Sequence, residues 1–237
     1  MIFLVSRNRK TILRFFSLIA LLVLLTSVST PADSLEVKFS VFYRSGIFYQ
    51  RLCNVELTGN PRTDIVRIAM SQVGYIEGNN STQLSGCLVG DKNYTEYGLW
   101  YDGIYGPDGF QKGAWCAMFI SWCAEQAGID KTVFYQHAYT PYGLNWYSSR
   151  NLCYTRAEIE NGEYVPQQGD IVYYLSPGVN RKTNHVGLVY KYEDGILYAI
   201  EGNTNAGDRS TDGGQVCLKS YEITDIFIRY ICTPQYS

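Results

Sequence analysis

The chain has 237 residues, enough for one sizeable domain or two small ones, and its 46% hydrophobic and 15% aromatic residues can fill a packed core. The formal net charge is −2 and the sequence has no dense cluster of Lys and Arg, which excludes the electrostatic footprint of a nucleic-acid-binding protein. The composition therefore predicts a globular protein without a nucleic acid partner.

The first 32 residues have the order of a secretory signal, with an apolar run followed by small residues. The run, from Phe15 to Val28, is shorter than the roughly 20 residues of a spanning helix, although retention as an uncleaved anchor stays the alternative. We predict a signal peptide at 1–32, a short N-terminal segment at 33–60 and one catalytic-sized domain at 61–237. The mature protein is expected to be secreted or associated with a cell wall, without stable membrane insertion. The basic residues that precede the run are Arg7, Arg9, Lys10 and Arg14.

The elements that follow are helical in the first half of the chain. The alternating stretch "LEVKFSVFY" predicts a strand over residues 35–43, and apolar spacing then predicts a helix from Asp64 to Val73, capped by Thr63. Residues 76–113 are rich in turn-forming residues and predict a long irregular binding loop. A further helix is predicted from about Trp115 to Ala127.

The second half is rich in β-branched and aromatic residues. Helices followed by strands predict an α+β fold, in which N-terminal helices pack on a mostly antiparallel sheet. The strand candidates are "GDIVYYL", "HVGLVYKY", "ILYAIEGN" and "YEITDIFIRYI".

Two cysteines on the predicted helix differ in their electrostatic position. Cys116 lies in the first turn, where unsatisfied backbone N–H groups and the helix dipole favour a thiolate, whereas Cys123 lies two turns deeper and is predicted to be a core residue. A buried cysteine near a helix start is also common. Cys116 therefore becomes a candidate nucleophile only if a base lies beside it.

The chain offers two histidines as that base. His137 lies in a loop with no neighbouring carboxylate, whereas His185 opens a strand that leads through a tight turn into the next strand. A two-residue turn would put His185 and Glu201 on opposite faces of the hairpin. We predict a three-residue turn at 193–195, which places His185, Glu201 and Asn203 on one face, with Gly187 leaving room for another element.

This arrangement predicts nucleophilic catalysis. A carboxylate or carboxamide that accepts the Nδ1–H of His185 would orient its imidazole. If the Cys116 helix packs on that face, a thiolate–imidazolium pair can attack a carbonyl, with the Cys116 backbone N–H as an oxyanion donor.

The segments "WCAMFISWCAEQAGI", "PQQGDIVYYL", "NHVGLVYKY" and "IEGNTN", in that order, resemble the CHAP domain. This family contains cysteine, histidine-dependent amidohydrolases and peptidases of papain-like fold that cut peptidoglycan. The resemblance spans about Thr63 to Ile231. It implies Cys116 as nucleophile, His185 as general base, Glu201 as the acidic third residue and Asn203 as a further polar residue.

The resemblance also implies bacterial peptidoglycan as the substrate, with no cofactor. Some members of the family bind calcium just before the cysteine, and in this chain Asp102 and Asp108 lie in about that place. Two acids among glycines are more often turn residues, so we predict no metal. The bond cut is left open between the muramoyl-L-alanine amide and the stem or cross-bridge peptide.

Two other functions stay open. One is a non-catalytic wall-binding module that uses the aromatic residues Trp100, Tyr101 and Tyr105, and the other is a cysteine peptidase that acts on non-wall peptides. The remaining cysteines could form two disulfides with one left over, or three if Cys123 takes part, and Cys217–Cys232 is suggested by nearness alone. These cysteines are at positions 53, 87, 153, 217 and 232.

Overall fold

The N-terminal half of the described chain is helical. The computed structural model describes residues 39–106, 109–207 and 212–236, so the predicted signal peptide, Asp108 and residues 35–38 lie outside the described residues. The α-helices are α1 (Val41–Arg44), α2 (Ile47–Cys53), α3 (Pro61–Ser71), α4 (Glu96–Tyr105), α5 (Cys116–Gln126), α6 (Thr140–Ser148) and α7 (Arg156–Glu160), and Phe110–Lys112 form a short 3-10 helix.

A six-stranded antiparallel sheet follows within the described residues. Its order is β1-β6-β2-β3-β4-β5, so β3 and β4 lie between β2 and β5. The α+β prediction is confirmed. The strands are β1 (Cys153–Thr155), β2 (Ile171–Tyr174), β3 (His185–Glu193), β4 (Ile196–Thr204), β5 (Gln215–Glu222) and β6 (Ile228–Cys232).

The two faces of the sheet belong to different apolar clusters. Val186, Leu188 and Ile200 join the cluster of helix α5, whereas Val189 and Ala199 join a smaller cluster on the other face. Because side chains alternate along a strand, His185 and Glu201 point away from the face that α5 covers. This alternation determines how the candidate site is assembled.

The strand predicted over residues 35–43 is wrong in its described part, residues 39–43. Ser40 is extended and its hydroxyl accepts the N–H of Tyr43, which starts helix α1 at Val41. Ser40 also donates from its N–H and its hydroxyl to Glu96 on α4, at 2.9 Å and 2.6 Å. Phe39 and Tyr43 belong to the same apolar core as α5, so an alternating pattern here serves helical packing.

Helix α3 begins earlier than predicted. Its cap is Asn60, whose side-chain oxygen accepts the N–H groups of Arg62 and Thr63, so Thr63 is not the cap. Pro61 occupies the first turn, where its missing N–H removes no intrahelical bond.

The segment 76–113 is only partly irregular, because it contains helix α4. Thr95 caps this helix by accepting the N–H of Gly98. Its aromatic residues Tyr97, Trp100 and Tyr101 are buried. Burial of these rings stabilises a helix that the local Gly, Asn and Asp content disfavours.

The last predicted strand, residues 221–231, is interrupted. Residues 221 and 222 end β5, and β6 starts only at Ile228. Between them Asp225 accepts the N–H of Phe227 at 2.9 Å, which closes a turn. The short strand β1 and most of β5 were not predicted.

A disulfide joins Cys153 and Cys232, which are opposite each other in the β1–β6 register. The suggested Cys217–Cys232 pair is therefore wrong, and Cys153–Cys232 is the disulfide present among the described residues, where the sequence allowed two or three. The two cysteines are 79 residues apart in sequence.

We expect the double variant Cys153→Ala, Cys232→Ala to lose about 2–4 kcal/mol of unfolding free energy, because the crosslink restricts a long loop in the unfolded chain. Guanidinium titration measures this loss. Cys53→Ala, which removes an exposed free thiol, is the control and should change little. Equal stability of the double variant and the unaltered protein would contradict the prediction.

Candidate active site

Helix α5 begins at the candidate nucleophile itself. Cys116 is its first residue, and its first turn therefore holds backbone N–H groups without intrahelical acceptors. The residue is buried, with only 3% of its surface exposed. Cys123 is fully buried, and burial raises the pKa of its thiol, which confirms its assignment to the core.

Trp115, the residue before α5, holds the start of this helix in place through contacts of its indole ring. Its indole N–H donates to the Glu77 carboxylate at 2.8 Å, and both residues are buried. The ring lies against Gly202 of β4, where an added Cβ would approach Trp115 to 2.7 Å and Phe119 to 2.9 Å. Gly202 therefore sets the distance between the helix start and the strand that carries Glu201. Sequence reasoning missed the Glu77–Trp115 pair, since the two residues are far apart in the chain.

We expect Gly202→Ala to cost about 1–3 kcal/mol of unfolding free energy, because Trp115 and Phe119 must move to admit a methyl group. Denaturant titration measures this. The control is Gly103→Ala in α4, where nothing lies within 4 Å of the added Cβ and alanine favours the helix. Equal stability of the two variants would contradict this prediction.

The β3–β4 hairpin differs from the prediction at its turn and agrees with it at the site. The turn has two residues, Asp194 and Gly195, both at positive φ, instead of the predicted three. A bulge at Tyr190 then shifts the register by one residue, so that Leu188 pairs with Ile200. The predicted register is therefore correct beyond the bulge, although its predicted cause is wrong.

This register brings His185 and Glu201 together. His185 Nε2 lies 2.9 Å from Glu201 Oε2, and both side chains are fully buried. The Glu201 side chain crosses Gly187, where an added Cβ would approach its Cγ to 2.7 Å. The room above Gly187 is therefore filled by Glu201 and not by another element. The nitrogen bonded to Glu201 is Nε2, not the predicted Nδ1.

The Cys116 thiol also raises the pKa of the His185 imidazole. Burial alone would lower the pKa of His185, but Cys116 and Glu201 together raise it to about 10. Nδ1 is the His185 nitrogen that has no hydrogen-bond partner among the described residues. Contrary to the prediction, helix α5 packs on the face of the sheet opposite to His185. Cys116 and His185 are each the first residue of their element.

Asn203 lies two residues beyond Glu201 and is fully buried. Its backbone has a φ of +58°, at an irregularity in the β4–β5 pairing, and its carbonyl accepts the N–H of Gly213. The left-handed conformation is one that asparagine tolerates better than most residues. The contribution of its side chain to catalysis stays a prediction.

The second histidine is part of the packed interior, where its ring nitrogens lie near a backbone carbonyl and a tyrosine hydroxyl. His137 is buried, its Nδ1 lies 2.9 Å from the Tyr135 carbonyl, and its Nε2 lies 3.3 Å from the Tyr173 hydroxyl. Burial lowers the pKa of His137 to about 4. It therefore stays neutral near pH 7.

The structure also describes residues that were considered for calcium binding and for wall binding. Asp102 accepts the N–H groups of Phe110 and Gln111, as a turn residue does. Across the described parts of the chain, no group of three His, Cys, Asp or Glu side chains is arranged to hold a metal ion. Of the aromatic residues proposed as a binding surface, Trp100 and Tyr101 are buried and Tyr105 is exposed.

The fold and the site define an α+β domain in which a helix begins beside a buried histidine–carboxylate pair. Residues 106–203 match the family model of the CHAP domain, and this range includes Cys116, His185, Glu201 and Asn203. The predicted resemblance to the CHAP domain, which is papain-like in fold, is therefore confirmed over this range. CHAP domains are generally hydrolases, and the match suggests activity of the peptidoglycan-hydrolase or amidase type.

Two other comparisons add little to this assignment. A solved structure described as "The crystal structure of Ly7917" is similar to the chain at 16% identity and a TM-score of 0.34. The match covers 73% of this chain and 62% of that one, so the chain spans less than two thirds of its length. The comparison with curated proteins found no match. In the regions that the structure describes, no helix combines the length and apolar character needed to cross a membrane.

Proposed function

We propose that this protein is an exported cysteine hydrolase that cleaves an amide bond of bacterial peptidoglycan. Cys116 is the nucleophile, His185 the general base and acid, Glu201 the group that orients the imidazole, and Asn203 a further polar residue of the site. The observation that carries the proposal is that Glu201 lies 2.9 Å from the fully buried imidazole of His185, whose pKa is raised by both Cys116 and Glu201. The CHAP match supports the substrate class.

The proposed reaction proceeds through a thioacyl-enzyme. Sulfur of Cys116 attacks the amide carbonyl carbon, and the backbone N–H of Cys116 donates to the oxyanion that forms. The C–N bond then breaks, and His185 transfers its proton to the leaving amine. Water adds to the thioester with His185 as base, and release of the acid restores the thiol.

Export is part of the proposal. It is supported by the order of basic, apolar and small residues in positions 1–32, as for a secretory signal. The Cys153–Cys232 disulfide supports it as well, because such bonds persist in oxidising compartments.

The test uses the mature protein and its Cys116→Ala variant on peptidoglycan sacculi from several bacterial types, with mass spectrometry of the soluble products. Fragments released by the unaltered protein alone are expected. Their new termini distinguish an N-acetylmuramoyl-L-alanine amidase from a stem or cross-bridge endopeptidase.

Two other outcomes would replace the proposal. If both proteins sediment with sacculi and neither releases fragments, the domain is a wall-binding module. If the sacculi stay intact while the unaltered protein cleaves soluble peptides, the protein is a cysteine peptidase with a non-wall substrate.

A further inference from the structure

Tyr174 lies directly against the histidine of the candidate site. It is the last residue of β2 and pairs with His185 in the β2–β3 register. The ring centroids of Tyr174 and His185 are 5.7 Å apart, with an interplanar angle of 29°. Phe227 stacks on the Tyr174 ring at 4.7 Å. The ring therefore has little freedom to turn away from the imidazole.

The hydroxyl of Tyr174 has a complementary atom nearby. Tyr174 Oη and Glu201 Oε1 are both buried and both lack a hydrogen bond of ordinary geometry to a described residue. Burial is the main cause of the raised pKa of Tyr174, and the Glu201 carboxylate contributes next, which requires that the two groups be close. A buried donor and a buried acceptor without partners are costly, and pairing them removes that cost.

We propose that Tyr174 is a positioning residue, whose hydroxyl donates to Glu201 Oε1 so that Oε2 stays on His185 Nε2. This rests on the proposed function for its catalytic meaning, but its geometry is independent of the substrate. The other titratable groups close to this trio are Cys116 on α5, Cys217 and Tyr221 on β5, and Asp225 in the β5–β6 turn.

The chemistry explains why such a residue is useful. When His185 passes its proton to the leaving amine, the imidazole loses its positive charge and its bond to Glu201 weakens. A carboxylate held at one oxygen only can then rotate about its terminal torsion. Donation to Oε1 keeps the second oxygen in place for the next proton transfer.

The test is a pH titration of the histidine nitrogens by NMR in protein labelled with ¹⁵N-histidine. The chain has two histidines, so His137 serves as an internal reference for the fold. Tyr174→Phe keeps the ring and removes the hydroxyl, and we expect the pKa of His185 to fall by at least about half a pH unit. With a cleavable substrate, kcat should fall about tenfold at an unchanged KM, and the alkaline limb of the pH profile should move to lower pH.

Tyr43→Phe is the matched control. It removes another fully buried tyrosine hydroxyl, which donates to Gln72 Oε1 at 2.8 Å, and it should leave the His185 titration unchanged. In a Glu201→Gln background, Tyr174→Phe should have no further effect on His185, because its action passes through the carboxylate.

An unchanged His185 titration in folded Tyr174→Phe protein would overturn the proposal, as would the same shift in Tyr43→Phe. An effect of Tyr174→Phe that persists in the Glu201→Gln background would overturn it too. Failure of the proposed function appears differently, as an absence of hydrolysis by the unaltered protein, while the NMR titration still decides the role of Tyr174.

Discussion

Replacing Cys116 with alanine should lower hydrolysis of peptidoglycan by at least about 10³-fold, because no thioacyl-enzyme can form without the sulfur. The protein should stay folded, since alanine is a good helix former at the first position of α5 and the volume lost is small. Soluble product release measures the activity, and circular dichroism with denaturant titration measures the fold.

Cys123→Ala is the matched control for this variant. It removes a thiol from the same helix, also buried, but two turns from the candidate site. We expect it to lose about 1–2 kcal/mol of unfolding free energy and to keep its activity. Full activity of Cys116→Ala, or equal loss of activity in both variants, would contradict the assignment of the nucleophile.

Glu201→Gln should lower kcat/KM by about 10²-fold or more, because the amide keeps the size of the side chain but cannot balance the imidazolium charge. The His185 pKa, raised to about 10 in the unaltered protein by Cys116 and Glu201, should fall. The alkaline limb of the pH–rate profile therefore moves to lower pH in the variant. An unmoved limb would contradict the role of Glu201.

The same pair predicts a pH dependence of stability. The folded pKa of His185 is raised above its ordinary value of 6.5, so the stabilisation is fully present below about pH 6.5 and is lost as the pH rises through about 10. The gap in denaturation midpoint between the unaltered protein and Glu201→Gln should therefore be larger at pH 6 than at pH 10. A gap that is independent of pH would contradict this coupling.

Much of the site could be predicted because its signals are local. The helix dipole favours a thiolate at Cys116, and the alternation of strand residues relates His185 to Glu201 once the register is known. Both the helix start and the register beyond the bulge agree with the structure. The α+β class followed from helical spacing in the first half and β-branched residues in the second.

The features that could not be predicted from the sequence depend on contacts between distant segments. Local propensity disfavours a helix in residues 76–113 and predicts a loop there, but burial of Tyr97 and Trp100 in the core stabilises α4. The pairing of Cys153 with Cys232 depends on β1, a strand too short to predict. The bond of Glu201 to Nε2 instead of Nδ1 depends on the orientation of the His185 ring, which no spacing rule specifies.

The bulge at Tyr190 is confined to one position of the β3–β4 hairpin. Val189 pairs with Ala199 and Lys191 with Tyr198, so deleting Tyr190 would join the two registers into one continuous ladder and leave His185 on the same face as Glu201. One residue added at the Asp194–Gly195 turn would lengthen the loop to three residues and leave the strand pairs as they are. The His185–Glu201 pair is therefore compatible with hairpins that lack the bulge and with hairpins that have a longer tip.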